Sequence, residues 1–245
     1  MSEPVAKQFV LASRPHGAPS AANFRLEQVP MPALPRGGLL LRVLYLSLDP
    51  YMRGRMDDRK SYAKPVSVGE VMTGESVSEV IASDRAGYTK GDIVLAHTGW
   101  RTHAAWEGPN PRKLDPKLAP ITTGLGILGM PGFTAYSGLY VLGKPKAGET
   151  VVVAAASGPV GSLVGQLAKM AGARAIGIAG GADKCRYVVD CGSMPASTIA
   201  RPILPNSSRR DARTASISIL RMWAAPCGRR YCRCSTPMRA CRSAG

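Results

Sequence analysis

The chain has 245 residues, a formal net charge of +16, 45% hydrophobic residues and only three histidines. That length allows one or two domains with a core of their own. No apolar run of about eighteen residues is present, which argues against a membrane-spanning helix, and Gln8–Ala12 is too short a run, cut off by Pro15-His16-Gly17, to be a secretory signal. Residues 1–184 contain no cysteine, which excludes a Cys/His nucleophile or a four-cysteine zinc lobe there and fits a reducing cytoplasm. His16, His97 and His103 offer no ligand set and read as polar surface or core residues, so no metal is expected.

In chain order, residues 8–110 carry short alternating apolar segments such as Gly38–Leu48 and Gly91–Ala96, divided by Pro- and Gly-rich turns. That pattern predicts an irregular β-barrel. Val151–Ala156 is a wholly apolar run of the kind a parallel strand buried on both faces requires. It leads into Ala156-Ser157-Gly158-Pro159-Val160-Gly161, a G-x-G-x-x-G turn with Ala156 in the first glycine position. Gly158 would let the backbone approach a pyrophosphate and Gly161 would let the next helix pack close to the strand. Leu163, Val164, Leu167 and Met170 form a helical stripe, and Gly172 is placed to end it. The start of that helix would offer free N–H groups and partial positive charge to phosphate.

A second apolar strand is predicted over Ala173–Ile178, about twenty residues after the turn, where the ribose-reading residue belongs. Its tip carries no acid, and Lys184 and Arg186 follow. An acid there would bind a ribose 2′-hydroxyl and repel a 2′-phosphate, so its absence beside cations favours NADP over NAD. The alternative for both cations, Arg186 above all, is a solvated face of the next helix.

Further motifs occur in order: LSLDPYMR at Leu46–Arg53, GEVMTGE at Gly69–Glu75, YTKGDIV at Tyr88–Val94, and LGMPGFTAY at Leu128–Tyr136. With the turn at Ala155–Gly161, the sequence closely resembles the zinc-independent medium-chain reductases. Among these it is similar to the NADPH-dependent prostaglandin reductase, or leukotriene B4 dehydrogenase-like, branch of alkenal/one reductases, over residues 1–190. The resemblance implies an α/β fold: a GroES-like β-barrel catalytic domain over residues 1–125, then a truncated Rossmann nucleotide-binding domain over 126–190. It implies hydride transfer from NADPH to the β-carbon of an enone or enal, a small-molecule substrate, and a monomer or homodimer with no nucleic acid or membrane partner. Without a metal, the enolate oxygen needs hydroxyl or backbone donors. By resemblance Tyr51 faces the substrate pocket, although a core tyrosine that fixes the barrel fits equally. Met130 and Thr134 match the motif on the nicotinamide side, where Gly129–Gly132 could otherwise be a flexible entry into a helix. Gly158, Pro159, Val160 and Gly161 match the pyrophosphate turn, and Lys184 matches the lysine at the 2′-phosphate.

After Asp190 the text changes character. Residues 191–245 hold ten arginines, no lysine, one acid (Asp211) and five of the six cysteines. In a GC-rich gene, joining the last base of each codon from Asp190 onward to the first two of the next gives a text containing Glu-Asn-Val-Gly-Gly, the turn this family places after its next strand. Met222-Trp223-Ala224 gives Val-Gly whatever the wobble bases, because ATG and TGG both end in G. Residues 191–245 are therefore expected to be out of frame and disordered, leaving a half-built sheet with open edges and an inactive enzyme. Ile217–Trp223 is the only apolar cluster in this tail. A zinc module at Cys227–Cys234 lacks a second ligand pair at the right spacing. A second function class remains: a non-catalytic protein whose Arg-rich tail binds nucleic acid or acidic partners, which salt would weaken steeply.

Overall fold

The computed structural model describes residues 5–59, 61 and 63–192, together with the backbone of 194–198 and 217–220. It forms two compact units, Met1–Leu125 and Gly126–Gly245.

The first unit is antiparallel. Strands β1 (Val5–Leu11) and β2 (Phe24–Pro30) pair from Val5↔Pro30 to Leu11↔Phe24. A five-stranded sheet follows in the order β6-β3-β4-β5-β7, built from β3 (Leu39–Leu46), β4 (Ser76–Ser83), β5 (Ile93–Ala96), β6 (His103–Trp106) and β7 (Arg112–Leu114). The strand period of two is visible in β3, where Leu39 and Leu41 are buried and Arg42 points out to pair with Glu79 at 2.5 Å. Leu39, Leu41, Val80, Val94 and Ala96 make one core cluster, and Leu11, Met52, Met56, Val66 and Met72 another.

Between β3 and β4 lies α1, Tyr51–Arg55, only five residues long and without a side-chain cap. A helix this short has little stability of its own, and arginines tie it down. Arg14 donates to the carbonyls of Met56 (2.7 Å) and Val66 (3.3 Å). Arg53 donates to Asp57 and to the carbonyls of Pro15 and Gly17, and Arg55 to the carbonyl of Lys64.

The second unit is a parallel sheet with helices. Helix α2 (Met130–Tyr136) runs on into a π-helical stretch, Ser137–Gly143, and then come β8 (Thr150–Val153), α3 (Pro159–Met170), β9 (Arg174–Ala179) and α4 (Ala182–Asp190). Its core joins Val151 and Val153 to Ala135 and Leu139, to Val164 and Ala168 of α3, and to Val188 of α4. Helix α3 ends as the sequence predicts. Gly172 adopts φ +74°, and the N–H groups of Gly172 and Ala173 return to the carbonyls of Lys169 and Ala168, a Schellman closure.

Two stretches of the Arg-rich tail depart from the expected disorder and open edges. Met194–Thr198 (β10) lies parallel to β9, and Ile217–Leu220 (β11) lies parallel to β8 from Ile217↔Thr150 to Leu220↔Val153. The sheet order is β10-β9-β8-β11, so both inner strands have neighbours on each side. The physical reason is that a ladder is made by backbone groups, which every non-proline residue carries whatever its side chain. The ten tail arginines and Cys227–Cys234 lie outside the described residues.

Candidate functional site

The turn after β8 is built around Ala155. Its φ of +52° is left-handed, unusual for a residue with a Cβ. Its carbonyl accepts the N–H of Gly158 at 2.9 Å, and the Ala156 N–H continues the ladder to Ile178 at 2.9 Å. Gly158 then starts α3 as an extended N-cap, Pro159 takes the first helical position, and the Ser162 N–H returns to the Gly158 carbonyl at 2.9 Å. The N–H groups of Val160 and Gly161 are left without an intrahelical acceptor and are available to an anion.

Each glycine of the turn has a separate reason. A Cβ on Gly161 would lie 2.4 Å from the Ala155 carbonyl oxygen and 2.8 Å from the Ala156 Cα, so only glycine lets the helix pack this close. A Cβ on Gly158 would sit 3.3 Å from the same oxygen, tight but not prohibitive. Ala156 occupies the first glycine position because residue 177 across the ladder is glycine, where a Cβ would fall 2.8 Å from the Ala156 Cβ and 2.5 Å from Val188. Gly177 is thus a member of the turn that the motif alone did not point to.

At the tip of β9, Gly181 adopts φ +87° and starts α4. Lys184 is exposed on the first turn and makes no hydrogen bond or ion pair among the described residues. Arg186 pairs with Asp183 on its own helix. The two cations therefore differ: one is engaged locally and the other is open to a ligand.

Met130 and Thr134 lie one turn apart on α2, the Thr134 hydroxyl 3.6 Å from the Met130 sulfur. The entry to this helix is closely packed. The Gly132 N–H donates to the Gly126 carbonyl at 3.1 Å, and a Cβ on Gly132 would fall 1.7 Å from the Ile127 carbonyl oxygen. Close approach, more than flexibility, accounts for glycine here.

Tyr51 belongs to the first unit and the other candidate residues to the second. It opens α1 and packs against the Leu11, Met52, Met56, Val66 and Met72 cluster, with its hydroxyl shielded from solvent and the Arg55 guanidinium 5.8 Å from its ring centre. Its ring is part of the barrel core, whatever its hydroxyl does.

Of the histidines, His97 lies 3.6 Å from Glu75, and His103 contacts the Thr102 hydroxyl at 3.1 Å, its pKa lowered by burial and by the Arg42 charge. Glu75 closes the GEVMTGE motif, but nothing in the sequence signalled its meeting with His97. Among the described residues no group of three or more His, Cys, Asp or Glu is placed to hold a metal ion.

A barrel-type unit followed by a parallel sheet with a glycine turn at a helix N-terminus defines a nucleotide-dependent oxidoreductase architecture. Residues 7–114 match a family described as the N-terminal domain of oxidoreductase. Over the matched residues the chain is similar to the zinc-independent medium-chain dehydrogenase/reductases. It is 52% identical over 184 residues to the NADPH-dependent curcumin reductase of Escherichia coli (strain K12), covering 75% of this chain and 53% of that one. Prostaglandin reductase 1 of Oryctolagus cuniculus is 40% identical over 190 residues, covering 76% and 52%. CurA of Vibrio vulnificus in complex with NADPH superposes with a TM-score of 0.76 at 50% identity, covering 80% of this chain and 58% of that one. The chain thus spans about half the length of the curated relatives it matches.

Proposed function

We propose that the described residues are the substrate-pocket and nucleotide-binding parts of an NADPH-dependent reductase of α,β-unsaturated ketones and aldehydes. The observation that carries this reading is the pairing of the Gly158–Gly161 turn with an unengaged Lys184 on the first turn of α4, just past the tip of β9. When bound, NADPH would supply the hydride for the β-carbon of the substrate. The free N–H groups of Val160 and Gly161 would hold its pyrophosphate, and Lys184 would hold the 2′-phosphate. No acid stands at the β9 tip to repel that phosphate; Asp183, just beyond, is paired with Arg186. The names of the curcumin and prostaglandin reductases support an enone as substrate, and Tyr51 is the side chain assigned to its pocket.

On this reading the chain binds NADPH in preference to NADH, through the Gly158–Gly161 turn and Lys184. Fluorescence titration with NADPH and NADH, followed by an absorbance assay with a 2-alkenal and an enone, tests this. Preferential binding of NADPH over NADH is the expected result. Equal or absent binding of the two nucleotides overturns the reading.

A further inference from the structure

Ser76 and Ala96 are register partners at the ends of β4 and β5, so Glu75 and His97 face one another one residue beyond the sheet. The Glu75 carboxylate is 3.6 Å from His97 Nδ1. The two side chains sit in different environments: His97 is 59% exposed and Glu75 only 18%. The Ser47 N–H donates to the Glu75 carbonyl at 3.0 Å, which fixes Glu75 against the loop that runs through Asp49 and Pro50 into Tyr51. The backbone just before Glu75 is equally constrained, since a Cβ on Gly74 would meet Leu46 at 2.9 Å and Met52 and Trp100 at 3.1 Å.

We infer that Glu75 and His97 form a proton relay that exchanges protons between solvent and the α-carbon of a bound carbonyl compound. This rests on the reading of an enone reductase, in which the saturated product acquires an α-proton, and it adds an activity that needs no nucleotide. In the exchange direction, the Glu75 carboxylate takes the α-proton of a bound saturated ketone, and the C–H electron pair becomes the enolate. The carboxyl proton passes to His97 and on to solvent. A solvent proton returns by the same route and re-forms the C–H bond, so no oxidant or reductant is consumed. Burial, the largest influence, raises the Glu75 pKa above its ordinary value, as does the Asp49 charge, while His97 and Arg112 pull it down. A carboxyl raised in this way holds a proton more readily than an exposed one, which suits it to pass protons on.

The full chain, free of nucleotide, is incubated with 4-phenylbutan-2-one in deuterated buffer, and loss of the α-proton signals is followed by NMR. Wild type is expected to exchange faster than the protein-free control, at a rate that rises as Glu75 ionises. Glu75→Gln, which conserves shape, should slow exchange by about a hundredfold or more, the usual contribution of a positioned acid–base group. Glu75→Asp should restore part of the rate, and His97→Asn should slow it and alter its pH profile. Exchange absent in wild type, or indifferent to Glu75→Gln, overturns the relay. NADPH titration of the same samples separates the two readings, because nucleotide binding depends on the second unit and should be unchanged in every variant.

Discussion

Gly161→Ala puts the close packing of α3 on the turn to a direct test. The added Cβ would lie 2.4 Å from the Ala155 carbonyl oxygen, roughly 0.9 Å inside the ~3.3 Å at which carbon and carbonyl oxygen ordinarily meet. Both obstructing groups, this oxygen and the Ala156 Cα, are backbone, so no side chain can swing away. Either α3 lifts from the sheet, loosening Val164 and Ala168 against Val151 and Val153, or the left-handed Ala155 must reorganise. Overpacking of this kind costs about 1–3 kcal/mol, and lifting the helix also withdraws the N–H groups offered to phosphate. Denaturant unfolding should show a lower midpoint with little change in slope, and NADPH titration a weaker affinity. Gly54→Ala is the control: it sits in α1 with no atom within 4 Å of a new Cβ and no positive φ, so it should be neutral or stabilise by up to ~1 kcal/mol. If Gly161→Ala unfolds at the wild-type midpoint and binds NADPH as tightly, the packing argument is wrong.

Three other outcomes are expected. Lys184→Ala should weaken NADPH binding by roughly tenfold to a hundredfold, the value of a charge-assisted phosphate contact, and leave NADH binding unchanged; Arg186→Ala should have the smaller effect, as Asp183 already engages it. Arg14→Ala should destabilise the first unit by about 1.5–3 kcal/mol through loss of its bonds to the Met56 and Val66 carbonyls, read by denaturant unfolding. Glu75 titrates above its ordinary value of 4.5 in the folded chain, chiefly because it is buried. Its stabilising contribution is therefore fully present below that value and lost as pH rises through the folded-state pKa. Glu75→Gln should remove that loss, and unfolding midpoints followed from acidic to neutral pH should fall less steeply than in wild type.

The parts of this molecule legible in the sequence are those whose signals are local. Val151–Ala156 predicted a strand and β8 is found at Thr150–Val153, shorter because Ala154 to Ser157 form the turn. The helical stripe ending at Met170 and the apolar run from Ala173 correspond to α3 and β9. The illegible parts depend on partners far along the chain. Ala155 carries no glycine or asparagine signal for a positive φ, and the need for Gly177 appears only once Ala156 and Val188 are placed beside it. Glu75 and His97 are separated in sequence and meet only through the β4–β5 register. The tail strands were hidden for a different reason: they lie in a stretch whose Arg-, Ser- and Pro-rich composition argued for disorder, while the ladder that holds them is made by backbone groups.

The β8–β11 pairing also sets a timetable for synthesis. β8 is complete at Val153, but the strand that covers its outer edge begins only at Ile217. At ~5–20 residues per second, a ribosome needs roughly 3–13 s to cross that interval. Through those seconds β8 has only β9, on its other edge, and the edge that β11 will cover stays open, while the antiparallel sheet of the first unit has already left the ribosome with all its strands. Newly made chains are thus most exposed to association with one another through a single strand, and the vulnerable period is set by the distance in sequence between two strands that lie side by side in the finished sheet.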